Sequence, residues 1–231
     1  MPKHIGIVAC SAEGAALCYR TLCGEAPARM GEYLHPEVSM HTYPLGDYMV
    51  HIRSGNWDGV AELMLSSAEK LSSIGAELLI CPGNTIHEVF EQVAGSSSVP
   101  WIHIADAVGA EAKSQGYTRV GIVGTKYLMA GSVYSERFGR FGISCEIPDE
   151  KDRERINTII FSQLVNGIYT SESRLYFNEV VRKFRERGCD AVILGCVGIS
   201  LIVDPNTCPL PVLDSTRLLA RAALKKALEE D

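Results

Sequence analysis

The sequence predicts an α/β protein made of two similar Rossmann-like domains, each with a parallel sheet, related by a pseudo-dyad. Three observations lead there. Short apolar, β-branched runs alternate with stretches of helical periodicity, as buried parallel strands joined by helices do. The pattern occurs twice. In both copies a glycine closes a helix just before a strand.

The first strand is expected over residues 4–10 and its counterpart over residues 118–125, each apolar and flanked by small residues. Gly6 and Gly121 match, 115 residues apart. Trp57, Val60, Ala61, Met64, Ala68 and Leu71 mark a helix that ends at Gly75, and a strand of five or six residues follows. Tyr176, Phe177, Val180, Val181 and Phe184 mark its counterpart, which ends at Gly188, 113 residues after Gly75, and is again followed by a strand. The agreement of the two spacings indicates a duplicated unit. Residues 99–104 read as a further strand, residues 153–165 as a helix, and an Ala/Leu-rich helix starts near Ser215. We place the first domain at 1–100 plus 210–231 and the second at 101–209.

Composition narrows the function. At 231 residues the chain buries a full core, and its net charge of −6 gives no reason to expect nucleic acid. No apolar run approaches a membrane span or a signal-peptide core, so a cytoplasmic protein with no membrane partner is expected. The eight cysteines then read as reduced thiols, and no metal-ligand spacing joins them. There is no Walker motif, no Gly-x-Gly-x-x-Gly fingerprint and no lysine singled out for pyridoxal phosphate. No metal and no cofactor is expected.

In parallel α/β units ligands sit at the carboxyl ends of strands. The strand ends here are residues 9–13, 81–87, 124–127 and 195–198. Facing each other about a pseudo-dyad, they would line one interdomain cleft. Symmetric walls suit a racemase, which takes a proton from one face of a carbon and returns one to the other. A thiol serves when neighbouring donors or cations favour its thiolate.

These segments resemble the cofactor-independent aspartate/glutamate racemase family over nearly the whole chain. The family's Cys-Asn-Thr-x-His appears as Gly83-Asn84-Thr85-Ile86-His87, and its Gly-Cys-Thr-Glu as Gly195-Cys196-Val197-Gly198. Residues 101–106, 124–127, 147–148, 152–153 and 211–215 also look like family segments. The resemblance implies an amino-acid racemase for aspartate, glutamate or a related substrate, a homodimer, and Cys196 as a reactive thiol. The carboxylate binders it implies are Asn84 and Thr85, with Thr125 mirrored in the second half, Tyr127 as a further donor, and the backbone of Val197 and Gly198. Arg53 and Arg174 are candidates for a second substrate carboxylate. His87 reads as structural, and Glu13 and Asp214 as no more than supporting residues.

The chief departure from the family lies at Gly83; the first loop is another, and Val197-Gly198, which lacks the family's Thr-Glu hydroxyl and carboxylate, is a third. The repeat spacing gives the same answer independently, since Cys196 maps onto Gly83, which has no side chain. The second acid/base must then be Cys10, Cys81 or a water. Cys81 lies two residues back, about 6.6 Å along an extended strand. The first loop reads Ala9-Cys10-Ser11 where the family usually has Gly-Gly-Met, which brings Cys10 and Ser11 toward the expected site. A glycine paired with one cysteine is also similar to arylmalonate decarboxylase. The alternatives are therefore a one-cysteine decarboxylase or isomerase, and a carboxylate-binding relative without turnover.

Overall fold

The computed structural model describes residues 1–229. The chain divides into two units, one of Met1–Ile104 with the C-terminal helix, the other of Ala105–Ser215. The first unit runs β1 (Ile5–Ala9), α1 (Ala12–Glu25), α2 (Pro27–Met30), β2 (Val38–Thr42), α3 (Leu45–Ser54), α4 (Trp57–Ser73), β3 (Leu78–Ile80), a 3-10 helix (Thr85–Val89), α5 (Phe90–Ser96) and β4 (Trp101–Ile102). Then come α6 (Ile104–Ser114), β5 (Arg119–Val123), α7 (Lys126–Ala130), α8 (Ser135–Gly139), β6 (Ser144–Glu146), α9 (Glu150–Ser162), a 3-10 helix (Leu164–Asn166), α10 (Ser171–Glu186), β7 (Ala191–Leu194), α11 (Val197–Ile202), β8 (Val212–Asp214) and α12 (Ser215–Leu228).

Each unit has a four-stranded sheet, in the order β2-β1-β3-β4 and β6-β5-β7-β8, and every pairing is parallel. The two orders are the same, as a duplicated unit requires. In each sheet the chain reverses its direction of growth between the first and third strands, and ligands of open α/β sheets bind beyond the strand ends at that point. The places to look are the ends of β1 and β3 in the first unit and of β5 and β7 in the second.

The central strands are apolar throughout and covered on both faces. Ile5, Ile7, Leu78 and Ile80 pack with Leu22 of α1 and Leu219 and Leu224 of α12. In the second unit Val192 and Leu194 pack with Ile156 of α9 and Phe177 and Phe184 of α10. Gly75 and Gly188 follow their helices with φ of +94° and +79°, which side chains on Cβ disfavour, and this is why glycine ends both helices.

Three expectations shift. The return crossing falls after β8, because Val192 pairs with Val212, so residues 212–214 belong to the second sheet and not to a first domain resuming at 210; the last two residues of the 210–231 segment lie outside the described part. β3 has three residues where five or six were expected; Pro82, without an N–H, marks where its ladder stops. The helix expected over 153–165 starts at Glu150, capped by Asp149, whose Oδ1 accepts the Asp152 N–H at 2.9 Å.

Candidate active site

In the first unit β1 and β3 pair as Ile5↔Leu78, Gly6↔Leu79 and Ile7↔Ile80. Carried forward three residues, this register sets Cys10 beside Gly83. Their closeness is direct: a Cβ built on Gly83 would stand 2.6 Å from Cys10 Sγ. The Cys10 sulfur therefore fills the space that a side chain at position 83 would enter. Cys10 keeps 8% of its surface exposed and Cys81 none.

Cys81 draws the Cys10 pKa down against the opposing effect of burial. Burial, then Cys10, push the Cys81 thiol well up, against the Gly83 backbone, which lowers it. Cys10 immediately precedes Ser11, the half-buried N-cap residue of the 14-residue helix α1, whose N-terminal end favours a thiolate.

His87 holds the floor of this cluster. Its Nε2 lies 2.9 Å from the Cys81 carbonyl oxygen and donates to it, and its ring stacks on Phe90 and meets His103 edge-on. Asn84 is buried at the start of the 3-10 helix, and its side chain does not cap that helix. Thr85 is half-buried, and Arg53 is exposed in the last turn of α3. A surface groove of about 500 Å³ runs between α3 and α4, but Asp47 and Glu62 in its wall disfavour a dicarboxylate.

In the second unit β5 and β7 pair as Val123↔Leu194, and the Gly195 N–H donates to the Val123 carbonyl at 2.8 Å. The next step sets Thr125 alongside Cys196. Cys196 is half-buried against the second core and is the N-cap residue of α11, with extended backbone and no side-chain cap bond. Thr125 caps α7, its Oγ1 accepting the Leu128 N–H at 3.2 Å. Tyr127 is half-buried, with Lys126 Nζ 5.9 Å from its ring centroid and 3.6 Å from Glu154. Val197 is half-buried; Gly198 is buried, and a Cβ there would stand 2.6 Å from Leu164 Cβ, so packing alone explains that glycine. Arg174 is exposed on α10, and its Nε donates to the Ile202 carbonyl at 3.0 Å, tying α10 to the end of α11.

Structure thus brings Cys10, Cys81, Gly83 and Ser11 together at one switch point, and Thr125 and Cys196 at the other. Sequence reasoning missed Tyr48, a fully buried phenol of α3 whose pKa is raised by burial and by Cys81 and Cys10. Only its helical spacing to Met49 and Ile52 marked it as inward-facing. Among the described residues no group of His, Cys, Asp and Glu side chains is arranged to hold a metal ion, and no helix is long and apolar enough to cross a membrane.

Two alike parallel sheets, each with polar and sulfur-bearing residues at its switch point, define a duplicated α/β enzyme of racemase type. The chain belongs to the Asp/Glu/hydantoin racemase family, whose model matches residues 7–223. That membership makes it an isomerase. It is 30% identical to a Yersinia pestis protein proposed to be an Asp/Glu racemase, with a TM-score of 0.89 over 98% of this chain and 100% of that one. It is 26% identical to an aspartate racemase homologue of Pyrococcus horikoshii, with a TM-score of 0.84 over 99% and 100%. It is also 20% identical over 194 residues, 84% of this chain and 83% of the relative, to the broad specificity amino-acid racemase RacX of Bacillus subtilis.

Proposed function

We propose that the protein is a cofactor-independent racemase of aspartate, glutamate or a related amino acid, with Cys196 as the acid/base on one face of the α-carbon. The observation that carries this is the position of Cys196: half-buried, beside Thr125, at the switch point of the second sheet. One thiolate takes the α-proton, the electron pair passes into the carboxylate as an enediolate, and a thiol on the other face returns a proton to carbon. In the first unit the Asn84 amide and Thr85 hydroxyl, and in the second the Thr125 hydroxyl and the backbone N–H groups of Val197 and Gly198, are groups of the kind that bind a carboxylate. Tyr127 can add a further donor. The first unit must supply the second acid/base through Cys10, Cys81 or a water beside Gly83.

The Gly83/Cys196 pair also suits a one-cysteine decarboxylase, in which carbon dioxide leaves one face and Cys196 protonates the other. We rank it second because the space beside Gly83 holds a sulfur atom. A cytoplasmic homodimer completes the reading; the dimer rests on family resemblance and is checked by light scattering.

The test is incubation with L-aspartate and L-glutamate in deuterated water, following α-hydrogen exchange and chirality. We expect deuterium at the α-carbon with the D-form accumulating, and neither with Cys196→Ala. Carbon dioxide release from a malonate without exchange on the amino acids would move the protein to the second reading.

A further inference from the structure

We propose that the first unit's acid/base thiol has moved one strand sideways, from position 83 on the β3 side to Cys10 at the end of β1. The inference rests on the racemase reading above and names the group that reading leaves open. Its first support is steric. With 2.6 Å between Cys10 Sγ and the Cβ position of residue 83, a side chain at 83 would require that sulfur to move, so glycine at 83 leaves room for Cys10 where it stands. The second is register: the β1–β3 pairing carries Cys10 to the level of Gly83, at the crevice where the sheet binds ligands.

The third is access. Cys81 has no exposed surface, so a substrate carbon cannot reach it, whereas Cys10 keeps 8% of its surface exposed and lies beside half-buried Gly83. Cys81 also draws the Cys10 pKa down, against burial, which alone would oppose a thiolate there. Burial raises the Tyr48 phenol of α3 and brings the Cys18 thiol of α1 up to about 12. His87 donates its Nε2–H to the Cys81 carbonyl.

The experiment separates the two faces. Each enantiomer presents its α-hydrogen to one thiol, so L- and D-substrates are assayed separately for α-hydrogen exchange in deuterated water. Cys10→Ala and Cys10→Ser are expected to lose racemisation by about 10²–10⁴-fold. They should still exchange the one enantiomer served by Cys196, with retention, which also shows that they fold. Cys196→Ser should show the opposite enantiomer preference, and Cys10→Ala/Gly83→Cys should recover racemisation. Iodoacetamide labelling followed by mass spectrometry should show Cys10 alkylated before fully buried Cys81. Full racemisation by Cys10→Ala overturns this proposal and leaves the racemase reading standing. Wild-type protein that exchanges no substrate overturns both.

Discussion

Leu128 Cδ2 lies 2.4 Å from where a Cβ on Gly195 would stand. The side chain of α7 thus closes over the backbone that leads into Cys196, and it does so over Gly124 as well, at 2.7 Å. The Val123 carbonyl, 3.2 Å from the same Gly195 position, cannot retreat, because it accepts the Gly195 N–H. Gly195→Ala should therefore cost about 1–3 kcal/mol, as overpacking does. It should also lower racemisation, by displacing Cys196. Leu128→Ala in the same chain should restore part of the activity. Urea unfolding and the exchange assay measure the two effects, and an alanine at 195 that changes neither would show that α7 does not brace this strand end.

Asp152 is the buried carboxylate that ties α9 to α10. Its oxygens accept Tyr176 O–H at 2.8 Å and Lys183 Nζ at 2.6 Å. Burial alone would raise its pKa; the bonds from Lys183 and Tyr176 outweigh that and hold it below the ordinary aspartate value. A depressed folded-state pKa means stability that is full above the unfolded value of about 3.9 and is lost as the pH falls through the folded one. Asp152→Asn should cost about 1–3 kcal/mol at neutral pH. Its deficit against wild type should shrink below about pH 4, when the wild-type carboxyl protonates. A deficit that stays constant down to pH 2 would show that the charge of Asp152 contributes nothing.

Much of this was legible in the sequence, for reasons that can be located. Apolar periodicity marked β1, β5, β7, α4 and α10, because their residues face the two cores. The repeat spacing paired Gly83 with Cys196, because the two sheets have the same strand order. β2 and β6 escaped notice. They are edge strands, half exposed, and carry no apolar run. Thr125 was read as a carboxylate binder, and its cap role appears only when α7 is seen to start at Lys126. The sequence placed Cys10 near the expected site, but its contact with Gly83 could not be read, since the two are far apart in sequence and meet only through the register of β1 on β3.

His87 supports the first switch point from below. It is 3% exposed and fixes the Cys81 carbonyl at 2.9 Å. His87→Ala removes a packed ring and leaves that carbonyl without its donor, so a loss of about 2–4 kcal/mol is expected. Activity should fall with little change in the KM for aspartate, since the residue positions Cys81 and Cys10. His87→Gln, which can still donate, should recover part of the stability. A KM effect with unchanged stability would instead make His87 a substrate contact.

Arg174 divides its guanidinium between structure and, on the racemase reading, substrate. Nε is used by the Ile202 carbonyl, while the remaining N–H groups lie on an exposed stretch of α10. A lysine cannot reproduce both arms, because it lacks the fork. If those groups read the side-chain carboxylate, Arg174→Lys should raise the KM for aspartate and glutamate by about ten-fold or more, the worth of a charged hydrogen bond. It should leave the KM for alanine unchanged, since alanine has no second carboxylate. Arg53→Lys, at the end of α3, is the parallel test in the first unit. Steady-state kinetics on the three amino acids decide between the arginines: the one whose replacement separates dicarboxylates from alanine sets specificity, and an equal effect on all three would confine that arginine to the fold.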